Sequence, residues 1–459
     1  MKLTKNLTEG NIYKNMLLYA LPLILSSLLS QAYSTIDGII AGKLIDEFAL
    51  GAISATSSFE LLFSSLIGGF CAGFAIYVSH LFGKKSYDAI KRDVFSMALF
   101  VATLSVVVSV LAILFRGPIF DYLNVDPLLY RNAEIYFIIY TAGYVLFFTN
   151  RLLVEVLYAL GVTSFSLYVS IMSTVLNVAG NLFFLLVFRM GVAGLAVSTL
   201  LSTAAATVLY VVMLCKAFRE MKCEPVSYRF DPSAVKRSLR YSLPTSAQQL
   251  AFHGVSFLIA PAINGLGAAA TTAYNISNRL YLFGTQCLWS ATSAFACYTG
   301  QCVGEGNAKK IRRGLKAGFI LNVLLVLPTV LVIALFARPV VSLFFPDGYT
   351  GDAFLYAVRY AQIFLPFVYL QVVGHIFHAY LRSLGSITTV LGITILGSIT
   401  RVAATLILIP LLQLDGAYLG QICSWAIDAL ICVVLYFFFY RTEQHLERIL
   451  RHVDEYTKS

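Results

Sequence analysis

Asp37 sits inside "LLSQAYSTIDGIIAG", residues 28–42, an otherwise apolar stretch. At about 100° per residue, Ser26, Ser30, Tyr33 and Asp37 share a sector of about 60° on one helix face. A carboxylate among hydroxyls offers two chemistries. Its oxygens can join a cage for Na⁺, or in a dry, hydrogen-bonded pocket it can carry a proton. The plainer alternative is an acid that reaches the membrane interface from the end of its helix. A second polar face, Ser170, Ser173, Thr174, Asn177 and Asn181, recurs at the same period, and its serines read as hydrogen-bonding contacts between helices.

Other charges interrupt apolar runs. Glu60 shares a face with Ser57 and Ser64, and either attracts a cationic compound or pairs with a base. Arg151 and Glu155 stand one helical turn apart and read as a local ion pair. Gln371, His375, His378 and Arg382 form a stripe; either histidine could relay protons, though packed neutral histidines are commoner. His253, Arg279 and Arg401 complete the candidate cavity residues, and salt bridges are expected for Arg279, Arg401 and Asp428.

The elements that must hold these residues are membrane helices. The 459 residues are 59% hydrophobic and only 12% charged, which excludes an ordinary soluble domain. A spanning helix needs about 20 mostly apolar residues. Twelve such runs are expected: 15–40, 51–79, 94–115, 133–158, 164–188, 191–215, 240–262, 270–300, 314–337, 354–381, 387–411 and 416–440. The alternation of a transmembrane barrel is absent, so the class is all-α and polytopic. Lys and Arg crowd alternate connections, among them Lys84, Lys85, Lys91, Arg92, Lys309, Lys310, Arg312, Arg313 and Lys316. The opposite connections hold Lys43, Arg116, Arg131, Arg189, Arg338 and Arg359, so both termini are expected in the cytoplasm. The net charge of +10 is therefore topological and implies no nucleic-acid partner. The eight cysteines lack a C-x-x-C pair and read as apolar filler, without metal or disulfide framework. No small-residue cleavage site follows the first apolar run, so that helix should be retained.

The chain repeats itself. "YALPLILSSL" (19–28) matches "YSLPTSAQQL" (241–250), "LFRGPIFDYLNVD" (114–126) matches "LFARPVVSLFFPD" (335–347), and "YALGVTSF" (158–165) matches "RSLGSITT" (382–389). Offsets of 221 to 224 between equal halves that start on one side of the membrane imply a parallel repeat about an axis along its normal. The expected organisation is a first lobe over 1–216, a cytoplasmic linker over 217–238, a second lobe over 239–441 and a tail over 442–459. Asp231 before Pro232 should cap the helix entering the second lobe. Pro22 and Pro244 each remove a donor early in the first helix of a lobe and should act as hinges.

"VSHLFGKK" with its echo "TGQCVGEG", the two early "LP" pairs, "IDGIIAGKLIDEFALGAIS" and "YALGVTSF" together resemble the multidrug and toxic compound extrusion (MATE) family, in order over nearly the whole chain. The resemblance implies two six-helix lobes around a cavity that opens to alternate sides, exporting organic, cationic and amphipathic compounds against Na⁺ or H⁺. It also implies a cation site of Asp37, Asn177, Asn181 and Thr199. Asn181 is neutral where the family often carries a carboxylate, and Na⁺ and H⁺ stay equally open. The seventh and tenth spans lack the acids some members carry there, so coupling is expected in the first lobe. No cofactor is expected beyond the coupling ion; the partners are a small organic substrate and the bilayer, with the protein a monomer. A lipid-linked oligosaccharide flippase of the same superfamily is the alternative, and would need several basic residues lining its cavity. Enzyme motifs such as H-E-x-x-H and G-x-S-x-G are missing.

Overall fold

Lipid offers the backbone no hydrogen bonds, so each apolar run must close its own as a helix. A computed structural model describes residues 4–44, 47–122, 129–223, 229–345 and 348–458; the side chains of 32–44, 47–59, 122, 268, 443 and 452–458 lie outside the description. Among the described residues there is no strand. The long helices are α1 (Ile12–Leu44), α2 (Glu47–Gly83), α3 (Tyr87–Leu114), α4 (Tyr130–Ala142 with Tyr144–Ala159), α5 (Ser164–Leu186) and α6 (Val192–Glu220). They continue as α7 (Pro232–Asn264), α8 (Ala268–Gly304), α9 (Ala308–Leu335), α10 (Asp352–Ser383), α11 (Ile387–Leu412) and α12 (Leu414–Tyr440).

This is the expected all-helical, twelve-helix fold. Among the described residues nine helices are long and apolar enough to span a bilayer, and the two parts of α4, bent by 48° at Gly143, make a tenth. The remaining two, α7 and α8, are 33 and 37 residues long but carry many Ser, Thr, Asn and Gln side chains. Helix ends overrun the expected spans because capped polar turns continue them. Asp231 accepts the backbone N–H of Ser233 at 2.9 Å, so α7 begins at Pro232 rather than near 240. Asn307 accepts from the N–H of Lys310 at 3.1 Å and caps α9. The tail, expected only as an extension, forms an amphipathic helix α13 (Glu443–Lys458), with Leu446 and Leu450 buried and α9 packed against it.

The repeat is visible in local structure. Short helices Arg116–Tyr122 and Ala337–Ser342 follow α3 and α9. The break in α4 has a counterpart in α10, where a π turn over Tyr360–Phe364 and a 3₁₀ turn over Leu365–Phe367 precede Val368. Gly161 and Gly385, 224 apart, both take left-handed φ (+79° and +81°), which ends one helix and starts the next. A Cβ at Gly161 would also lie 2.3 Å from the carbonyl oxygen of Lys5.

The chain divides into two compact units. The first comprises Met1–Asn6 and Leu25–Ser246, the second Leu7–Ile24 and Ala247–Ser459. Helices α1 and α7 thus change unit along their length, and each change falls just beyond a proline, Pro22 or Pro244.

In the first unit α4 packs against α2, α3 and α6, and α5 lies along α6. At its base Asp93, 1% exposed, accepts the Tyr77 hydroxyl at 2.8 Å and Arg92 Nε at 3.1 Å, and lies 3.7 Å from Arg237 of α7. Arg92 and Arg237 also face Asp231, at 3.6 and 3.7 Å. Hydrogen bonds from Ser233 hold the Asp231 carboxyl below its ordinary range. A Cβ at Gly73 would meet the Tyr241 carbonyl oxygen at 2.5 Å, so α2 and α7 touch through bare backbone here.

In the second unit α8 packs on α9 and α10, and α12 on α10 and α11. The chain before α1 is tied in by Leu7 N–H donating to Gln301 Oε1 at 2.8 Å and by the Thr8 hydroxyl on Glu305, itself paired with Lys310 at 2.7 Å. Large apolar side chains such as Val110, Leu186, Leu335 and Leu411 stand exposed, as a lipid-facing surface requires. Buried hydroxyls such as Ser79, Ser105 and Thr245 return their protons to the carbonyl four residues earlier.

Candidate functional site

The first unit joins α5 to α6 through a directed chain of polar groups. Asn181 Nδ2 donates to Asn177 Oδ1 at 2.9 Å, Asn177 Nδ2 donates to Thr199 Oγ1 at 3.2 Å, and Thr199 Oγ1 donates to the Leu195 carbonyl at 3.0 Å. Ser198 donates to the Asn177 carbonyl at 2.8 Å. Gly180 makes the close packing possible, since a Cβ there would lie 2.5 Å from Ser198 Oγ. Asn177 and Asn181 are buried at 1% and 0% exposure, so these amides are shielded from lipid and must meet their hydrogen bonds inside the unit.

Beside this chain lies a cavity of about 220 Å³. It is bordered by Ser30 of α1, Asn150 of α4, Ser170, Ser173 and Thr174 of α5, and Thr199 of α6. The serines of α5, expected only as contacts between helices, therefore face open space. Tyr33 and Asp37 belong to the helical backbone of α1, but their side chains lie outside the described residues. Glu60 is half-buried. Arg151 and Glu155 form the expected local pair at 2.7 Å.

The second unit holds a smaller cavity, about 60 Å³, walled by α7, α8, α10, α11 and α12. Gln371 Nε2 donates to the Tyr281 hydroxyl at 2.6 Å and lies 3.1 Å from His375 Nε2. The His375 ring meets Trp289 edge-on at 4.4 Å between centroids. His378 Nε2 lies 3.0 Å from Asp428 Oδ1. That proximity depends on Gly374, where a Cβ would come within 2.0 Å of Asp428 Oδ2. Ligand atoms of His378, Asp428 and Cys432 all lie within 4.8 Å of one another.

Several expectations need correction. Sequence spacing suggested no grouping of metal-ligating side chains, because His378 stands on α10 while Asp428 and Cys432 stand on α12. The lack of acids on the seventh and tenth spans does not leave this unit without one, since α12 brings Asp428 to His378. Arg401, expected in a salt bridge, has no carboxylate within 4.0 Å among the described residues and reaches the Tyr274 hydroxyl at 3.4 Å. Arg279 is exposed on α8, with no carboxylate partner among the described residues. His253 is half-buried, edge-on to Phe252 at 5.2 Å. The Asp93, Tyr77 and Arg237 cluster was not foreseen either, since its members come from three helices.

Comparison with known proteins agrees with this architecture. The MatE family model matches residues 22–183 and 244–407, one segment in each half of the chain. The probable multidrug resistance protein YpnP of Bacillus subtilis is 25% identical over 417 residues, 90% of this chain and 91% of the relative. The probable multidrug resistance protein YoeA of the same organism is 24% identical over 455 residues, 96% and 97% of the two chains. A solved MOP superfamily transporter from Pyrococcus furiosus superposes with a TM-score of 0.87 at 19% identity, covering 98% of this chain and 100% of its own. The two matched segments, opening at Pro22 and Pro244 and together covering most of the sequence, make this chain a member of the MatE family of membrane transporters.

Proposed function

We propose that this chain exports organic compounds across the cell membrane by antiport with Na⁺ or H⁺, with both termini cytoplasmic and the ion taken up at Asp37, Asn177, Asn181 and Thr199. The buried amide and hydroxyl chain of α5 and α6 carries this reading. It presents oxygens to a small cation beside a 220 Å³ cavity that Ser30 of α1 also borders. Ser30 shares the α1 face of Asp37, which favours that carboxylate as the missing charge of the site. Relatives named for multidrug resistance support efflux of more than one compound. Asp37 and Glu60 suit amphipathic organic cations, and the coupling ion is the only inorganic partner required.

Pro22 is the proposed hinge that lets α1 carry its ion-binding face between two access states, because the helix changes unit just beyond it. The flippase alternative is weaker. Arg151 is paired with Glu155 at 2.7 Å, which leaves Arg382 and Arg401 beside the second unit's cavity, fewer cations than a lipid-linked pyrophosphate calls for. The test is transport by purified protein in proteoliposomes under an imposed pH or Na⁺ gradient. Asp37→Asn, which keeps the side-chain shape, should reconstitute normally and lose gradient-driven efflux of ethidium. Undiminished efflux under either gradient would overturn the assignment.

A further inference from the structure

The cavity of the second unit has no part in the coupling site and carries its own charge pattern. Arg401 stands near the middle of α11, at the position the repeat offset of 224 assigns to Asn177. Where the first unit has an amide, the second has a permanent cation. Its Nε is buried without a hydrogen-bond partner, and among the described residues its one donor contact is Nη2 to the Tyr274 hydroxyl at 3.4 Å. A guanidinium has five N–H donors in a fork, and most of these are unused.

One carboxylate lines this wall, Asp428, and it stands against His378, with no ion pair to Arg401 among the described residues. Asp428 lies 3.0 Å from His378, and the other charged or titratable groups facing the cavity are His375 and Arg382. Thr394 and Ser424 donate their protons to the carbonyls of Val390 and Gly397, at 3.0 and 2.8 Å. A half-buried cation near the middle of a membrane helix, with its Nε buried and unpaired, is a site for an acceptor that arrives with its own negative charge. Size narrows the choice: about 60 Å³ is the share of roughly two water molecules, enough for one oxyacid group and too little for a whole drug.

We propose that this cavity binds the anionic oxyacid group, carboxylate or phosphate, of an amphiphilic compound, held by the Arg401 fork while the apolar body lies against Trp289 and Trp425. The proposal adds anionic compounds to the cationic class and rests on the second unit alone. It needs no gradient, so it can fail while the coupling assignment stands, and the reverse.

The sequence contains two tryptophans, Trp289 and Trp425, and both line this cavity. Intrinsic fluorescence of the full-length protein in an uncharged detergent therefore reads the site directly. Dodecyl phosphate and dodecanoate should shift the emission saturably, and dodecyltrimethylammonium should not. Arg401→Gln should raise the half-saturating concentration about tenfold or more, and Arg401→Lys by clearly less, which guards against a merely misfolded variant. Inorganic phosphate distinguishes the source: saturation only by the tailed anions supports an amphiphile, and equal saturation by phosphate alone overturns the tail while leaving the anion subsite. An Arg401→Gln titration indistinguishable from wild type, or an equal response to the cationic homologue, would overturn the proposal.

Discussion

Asn181→Asp restores a second carboxylate beside Asn177 and tests whether the amide chain is an ion site or only a contact between helices. The chain has a direction: Asn181 donates to Asn177, Asn177 to Thr199, and Thr199 to the Leu195 carbonyl. Replacing the Asn181 amide by a carboxylate puts oxygen against oxygen where a 2.9 Å hydrogen bond stood. Asn177 can turn its amide to donate to the new carboxylate. Its own oxygen then faces Thr199, whose proton is already given to Leu195, so one hydrogen bond is lost, about 1 kcal/mol. The larger cost is a buried charge at a position with 0% exposure, several kcal/mol without a counter-ion. The variant should therefore be about 3–5 kcal/mol less stable in an ion-free medium. A cation held by the new carboxylate, Asn177 Oδ1 and Thr199 Oγ1 recovers about 2.7 kcal/mol at a hundred times its Kd. The assay is thermal unfolding of the purified protein in choline against Na⁺ at constant ionic strength. Recovery by Na⁺ at constant pH identifies an ion site, whereas recovery on acidification alone reports only the neutralised buried carboxylate. If Na⁺ restores none of the stability lost in choline, the site holds no Na⁺; if variant and wild type unfold together in choline, the buried-charge reasoning is wrong as well.

Asp93→Asn should destabilise the protein by about 3 kcal/mol, because the buried carboxylate accepts from Tyr77 and Arg92 and faces Arg237; Tyr77→Phe should cost about half as much. Denaturation of both variants in detergent checks this, and near-equal stability with wild type would show that Asp231 alone holds the two arginines. Gly374→Ala should push the Asp428 carboxylate away from His378, since the added carbon would lie 2.0 Å from Oδ2. A changed tryptophan emission together with a lower unfolding temperature is expected, and unchanged values in both would contradict the contact.

Much of the fold was legible because lipid removes choices. Long apolar runs have only the helix open to them, so the spans and the class followed from composition. The repeat located matched features far apart, down to the left-handed Gly161 and Gly385. What stayed hidden was pairing across helices. His378, Asp428 and Cys432 come from α10 and α12, and periodicity reports the face of one helix without naming the helix opposite. Asp93 was not singled out in the sequence, because nothing in the spacing reveals that Tyr77 and Arg237 enclose it. The break at Gly143 lacks the proline that marks its counterpart at Pro366. The α13 helix was readable in Leu446, Ile449 and Leu450, an i, i+3, i+4 set obscured by the charges around it.

The exchange of opening segments between the units bears on how such a chain is made. Residues 7–24 are synthesised nearly 300 residues before their partners Gln301, Glu305 and Lys310. The beginning of α1 must therefore wait in the bilayer through most of translation. Dividing the gene in the linker would give two polypeptides, each carrying the opening segment that completes the other's fold.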